Sequence, residues 1–202
     1  MNKMIIHSEF MPPIATFHLL KNHNNGMIEH FENYQKKSTR NRMKILSPNG
    51  ILTLSVPLQK GKNNHTLIKD VMISYDENWI NKHLNAIRTC YNSAPYYIHY
   101  IDDITSIFNA RHTHLIDLNN ALFQFFIKVI DLEVIIAPTN SYEKEYPKSV
   151  TDLRNSSQNR EMNFELKYRS YHQVFENKYP FQANLSILDL LMCTGPESIL
   201  YL

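Results

Sequence analysis

Glycine is scarce: the 202-residue chain has four, Gly26, Gly50, Gly61 and Gly195, with no two close together. Neither GxGxxG nor the P-loop pattern can be written. Both need backbone to approach a phosphate where a side chain would collide, which argues against a standard dinucleotide-binding dehydrogenase or P-loop NTPase. The GxSxG elbow of α/β-hydrolases is also missing. Cysteine is nearly as rare. Cys90 and Cys193 show no CxxC or Cys/His spacing, so neither a disulfide framework nor a zinc knuckle is implied, and a reducing compartment is expected. Long apolar runs are absent as well. The opening MNKMIIHSEF holds only Met4 to Ile6 before His7 and Glu9, too little for a signal peptide, and no stretch approaches a membrane span, which places the protein in the cytoplasm. Net charge is small, with 21 Lys and Arg against 19 Asp and Glu, unlike a general nucleic-acid binder.

The most local deficit is of acids. No carboxylate occurs between Glu32 and Asp70, while five cations, Lys36, Lys37, Arg40, Arg42 and Lys44, crowd into nine positions. Any electrostatic preference is therefore concentrated here. The flanking pattern predicts a hairpin over 40–57, TRNRMKIL and ILTLSVPL around Ser47-Pro48-Asn49-Gly50. A four-residue loop puts Met43, Ile45, Leu52, Leu54 and Val56 on one face and Arg40, Arg42, Lys44, Thr53 and Ser55 on the other. Same-face neighbours on a strand lie about 7 Å apart, a spacing at which two guanidinium forks can share a diphosphate, or a phosphate and a carboxylate. The same pattern also describes a solvated sheet face.

With 43% hydrophobic residues the chain has ample core, and the expected fold is a single α/β domain over 1–202, with a mixed, partly antiparallel sheet flanked by helices. MIIHSEF reads as a first strand, the run through Phe17, Leu19 and Leu20 as a helix, and Met27 to Phe31 as a second strand. IKDVMISY reads as a further strand after a mobile QKGKNNH loop. A helix over about 77–91 has Asp76 as its N-cap, two more follow through Phe108 and Val129, and EVIIA is the next strand. Residues 138–163 read as a surface loop or lid. The tail over 164–202 carries a helix at 186–194, with Ser186 as N-cap, Asp189 in a capping-box position and Gly195-Pro196 as its stop.

Trp79 and His83 stand at i, i+4, beside the Ile80, Leu84, Ile87 stripe. They form either a ligand-facing patch, with His83 a general base, or boundary packing. His112, His114 and Asp117 in RHTHLID fit neither a metal pattern nor HHxxxD, and Thr113 reads as a helix N-cap; no metal site or cofactor is expected.

Five segments, NYQKKSTRNRMKI, LTLSVPL, IKDVMIS, WINKHLNAIRTCYNSAPYY and NLSILDLLMCTG, resemble the WbqC-like family in the family's order. The resemblance implies a place among bacterial O-antigen and surface-polysaccharide genes, and amino-acyl transfer to an activated amino sugar as a suggested activity. The amino-terminal Gln-Pro and Gly-Tyr-Phe pattern departs to SEFMPPIATFHLL, which keeps Pro13 and Phe17. On this reading the partner is an anionic small molecule such as a nucleotide sugar. Arg40, Arg42 and Lys37 hold its diphosphate, Trp79 or Tyr34 stacks on base or sugar, and His83 or Glu32 deprotonates the acceptor amine. The alternative is a non-catalytic module that binds an anionic metabolite or a partner protein. Single-stranded nucleic acid is disfavoured, since aromatics are sparse beside the cations.

Overall fold

A computed structural model describes residues 3–23, 25–60, 65–154 and 166–202. The chain opens with a βαβ unit: β1 (Lys3–His7), α1 (Ile14–Lys21) and β2 (Asn25–Glu29), with β1 and β2 parallel. Two later strands, β5 (Ile135–Pro138) and β6 (Val150–Asp152), join the same sheet in the order β5-β2-β1-β6, every pair parallel. Central β1 is buried on both faces from Met4 to His7, which explains its unbroken apolar run. Phe17 of α1 packs against Phe123 and Phe126 of α4 (Leu115–Ile130), ring centroids 5.5 and 6.2 Å away.

The fold class is α/β as expected, but the hairpin forms a sheet of its own instead of joining the main one. Strands β3 (Arg42–Ser47) and β4 (Gly50–Ser55) pair Met43 with Leu54, Lys44 with Thr53 and Ile45 with Leu52, the anticipated register. The turn is tighter by one pair. Ser47 faces Gly50, whose φ of +99° suits glycine, and the Ser47 hydroxyl donates to the Gly50 carbonyl. Met43 and Ile45 go into the core, whereas Lys44 and Thr53 face out.

Several local expectations need correction. IKDVMISY is not a ladder strand: a 3-10 turn over Ile68–Asp70 leads into an extended segment touching Leu58 and His114 by single bridges. Its alternation is still legible, with Val71 and Ile73 buried and Met72 39% exposed. Helix α2 runs Trp79–Tyr91 with Asn78 at its cap position; Asp76 instead accepts from the Ser74 hydroxyl. His114, not Thr113, precedes α4. Within the anticipated loop 138–163 lies β6, and residues 155–163 fall outside the described residues, as do residues 61–64 of the expected mobile loop. Between α2 and α4, α3 spans Tyr97–Asn109.

The tail packs through α5 (Ile187–Thr194). Ser186 caps it, accepting from the Leu188 amide at 3.3 Å. Asp189 does not complete a capping box. It is buried and accepts from the Tyr91 and Tyr171 hydroxyls and the Gln173 amide at 2.6–2.9 Å, tying the tail to α2. Cys90 in α2 is buried and Cys193 in α5 is half-buried, and both thiols are free.

Candidate functional site

In open parallel sheets, ligands sit beyond the carboxyl ends of the strands where strand order reverses. Here β2 and β6 lie on opposite sides of β1, so the loops after β1, β2, β5 and β6 converge on that edge. The edge is densely charged and buried. Glu29 and Glu32, at the end of β2, are 0% and 5% exposed, and Arg40 and Arg154 are 1% and 3% exposed. Arg40 grips Glu32 with Nε at 2.8 Å from Oε1 and Nη2 at 2.7 Å from Oε2. Arg154 takes Asp152 through Nη2 at 2.6 Å and Nε at 3.0 Å, and Glu29 through Nη1 at 2.9 Å. Its guanidinium also lies over the rings of Tyr142 and Tyr146. Burial pushes the Glu32 carboxyl above its ordinary range, with Arg40 opposing.

Two openings flank this network. The larger is a cleft of about 480 Å³ lined by Phe31, Glu32, Asn33, Tyr34, Gln35, Lys36, Tyr142 and Arg154. The second, about 190 Å³, lies against the hairpin and is lined by Lys37, Arg42 and Lys44, by Ser38, Thr39, Thr53 and Ser186, and by Met11, Pro13, Met43 and Asn184. No carboxylate lines it. Among the described residues none of its three cations is in an ion pair, and the buried Arg42 Nε has no hydrogen-bond partner. An N–H left this way is costly unless a ligand accepts from it.

The backbone around this second pocket is strained. Met11, Lys37 and Asn184 all have left-handed φ, of +44°, +58° and +53°, and all three line it. Each such residue costs on the order of 1–3 kcal/mol, and strain of this kind gathers at binding sites. Asn184 also binds the start of α1, its Oδ1 accepting from the Ala15 amide at 2.9 Å.

The structure divides the residues singled out in the sequence. Arg42 and Lys37 share the cationic pocket with Lys44. Glu32 and Tyr34 line the cleft, although Tyr34 is 4% exposed and its hydroxyl donates to Asn41, so its ring is not an open platform. Arg40 is not on the outward face of the strand: β3 starts at Arg42, and the Arg40 side chain turns inward to Glu32. Trp79 and His83 are buried, at 4% and 3% exposure, packed with Phe10 and Phe108 instead of forming a ligand-facing patch. Burial holds the His83 imidazole down to about 4, so it is neutral at pH 7. Arg154, Asp152 and Tyr142 were missed because they lie in a polar stretch without periodicity; the weak signal was Asp-Leu-Arg closing a short β-branched run. His114 and Asp117 lie 3.6 Å apart, and the described residues include no group arranged to hold a metal.

An open parallel α/β sheet thus carries a polar cleft at its carboxyl edge and an adjoining cationic pocket. The chain belongs to the WbqC-like protein family, which it matches over residues 7–163 and again over 146–201. It is similar to the uncharacterized protein Rv1507c of Mycobacterium tuberculosis, 25% identical over 227 aligned residues that cover 98% of this chain and 96% of that one. No solved structure matches. No helix among the described residues is long and apolar enough to cross a membrane.

Proposed function

We propose that the chain is a cytoplasmic transferase acting on a nucleotide-activated amino sugar in surface-polysaccharide biosynthesis, by acyl or amino-acyl transfer to the sugar amine. The observation that carries this reading is the pocket in which Lys37, Arg42 and Lys44 converge with four hydroxyl-bearing residues and no carboxylate. Such a lining suits phosphate oxygens, with Arg42 as a fork and the lysines as point charges. Lys36 lines the cleft and Lys37 the pocket, so a ligand with its diphosphate on the cations can extend into the cleft. There the rest of the ligand lies beside Glu32, and the exposed Tyr142 ring offers the stacking surface that buried Tyr34 does not. Family membership is compatible with a polysaccharide-related role.

Isothermal calorimetry tests the reading, with inorganic pyrophosphate, nucleoside diphosphates and amino-sugar nucleotides as ligands. The expected result is binding of all three classes, tightest for the amino-sugar nucleotides; no heat with any of them would overturn it. A second reading, a non-catalytic module for the same ligand, is favoured by one observation: both Glu32 oxygens are already held by Arg40. Ligand binding without turnover in acyl-transfer assays would select it.

A further inference from the structure

One residue of the cationic pocket's lining, Thr39, has a built acid–base pair at its hydroxyl. Its Oγ1 lies 2.8 Å from Glu9 Oε1 and 2.8 Å from His7 Nε2. His7 and Glu9, at the end of β1, are 1% and 4% exposed and contact each other at 3.2 Å. The Thr16 hydroxyl donates to the other Glu9 oxygen at 2.7 Å and fixes the carboxylate. One imidazole tautomer satisfies all of these contacts. With its proton on Nε2, His7 donates toward both oxygens and leaves the Thr39 hydroxyl to donate to Glu9. A nucleophile, a base within 2.8 Å and a third group orienting both is the arrangement that activates a hydroxyl for covalent catalysis.

We propose that Thr39 is an acyl-accepting nucleophile, that Glu9 is its base with His7 as positioning residue, and that the donor is an acyl phosphate. This rests on the anion pocket of the proposed function, since Lys37, Arg42 and Lys44 beside Thr39 hold the donor's phosphate. Thr39 Oγ attacks the carbonyl carbon while its proton passes to Glu9. The carbonyl–phosphate C–O bond breaks, and the Glu9 proton moves to the departing phosphate, giving hydrogen phosphate and a threonine ester. A sugar amine then attacks the ester: an amide forms, the ester bond breaks, and the amine's proton returns through Glu9 to Thr39 Oγ. One small anion pocket serves the two substrates in turn, which makes the order ping-pong.

The test incubates the full chain with acetyl phosphate, followed by intact-mass and peptide mass spectrometry before and after alkaline hydroxylamine, which removes esters and spares lysine amides. The expected result is one hydroxylamine-labile acetyl group on the peptide carrying Thr39, absent in Thr39→Val, retained in Thr39→Ser and formed on the order of a hundredfold more slowly in Glu9→Gln. Only hydroxylamine-stable label, or equal ester in Thr39→Val, would overturn the proposal. Pyrophosphate calorimetry on the same samples separates the two readings. Binding without ester leaves the anion pocket standing and overturns the acyl step; ester without binding supports the acyl step and overturns the pocket.

Discussion

Two groups of cations, drawn from one short stretch of chain and one distant strand, meet opposite fates. Arg40 and Arg154 are almost wholly buried, and three carboxylates, Glu29, Glu32 and Asp152, take up their forks. Arg42, Lys37 and Lys44, within seven residues of Arg40, face a pocket without a carboxylate. Charge density in the sequence is the same for Arg40 and Arg42; what differs is which partners the topology brings. The end of β2 delivers Glu32 to Arg40, and β6 brings Arg154 to Glu29, so that edge neutralises itself and stiffens. The lining of the hairpin pocket holds no acid, Glu9 approaching it only from behind Thr39, so its cations remain available to a ligand. A cation cluster is informative about binding only after its internal partners are subtracted.

The comparison breaks most visibly in stability. Arg154→Met removes the partner of Glu29, a fully buried carboxylate, and Arg40→Met does the same to Glu32. Stranding a buried charge costs about 3–5 kcal/mol. At roughly 2–4 °C per kcal/mol for a chain of this size, thermal unfolding should start roughly 10 °C lower in either variant. A change below about 1 kcal/mol would mean that the two arginines are not structural and that the contrast with Arg42 fails.

Next comes His83, a titratable group in neither region. Its pKa falls from an ordinary 6.5 to about 4 because burial disfavours the imidazolium, so the folded state prefers the neutral ring. The stability this represents is fully present above pH 6.5 and is lost as the pH falls through about 4. The full loss amounts to about 3 kcal/mol. Replacing His83 with Leu, in a site where Nδ1 has no partner among the described residues, should flatten that acid limb in urea titrations. Pyrophosphate affinity should stay unchanged. An unaltered pH profile would show that the imidazole is solvated and reopen a role in the site.

Much of this arrangement was legible in the sequence where periodicity or turn chemistry speaks. The hairpin register followed from segregating Met43, Ile45 and Leu52 from Lys44 and Thr53, and a one-residue slip would have mixed them. Ser186 and Gly195 marked the ends of α5 through capping chemistry alone. What failed was anything set by long-range partners. Arg40 looked like the next outward residue of β3, because alternation cannot reveal that Glu32 waits on the inside. Strand β6, three residues long, is too short to show a period, and it owes its strand character to pairing with β1. Trp79 and His83 lay beside the apolar stripe of α2 and were ambiguous until Phe10 and Phe108 covered them.

The hairpin pocket itself predicts a pattern opposite to that of the sheet edge. Arg42→Ala should leave stability within about 1 kcal/mol, since its side chain has no protein ion pair among the described residues. Pyrophosphate binding should weaken about 10- to 100-fold, the worth of a charge-assisted hydrogen bond or two. Unfolding at normal denaturant concentration with unchanged affinity would reverse the assignment and return Arg42 to the solvated-face reading.

Lys37 provides the finest separation, because its charge and its conformation can be removed independently. Its φ of +58° lies in the left-handed region, which asparagine tolerates better than most residues and glycine adopts freely. Lys37→Asn keeps the turn and deletes the charge; it should shift stability by no more than about 0.5 kcal/mol and weaken pyrophosphate binding several-fold. Lys37→Gly removes the strain as well. If the strained turn is what shapes the pocket, glycine frees the loop before binding and the ligand must order it again, so affinity should fall further than with asparagine. Equal losses in the two variants would assign the whole effect to the ammonium group and leave the left-handed backbone without a part in binding.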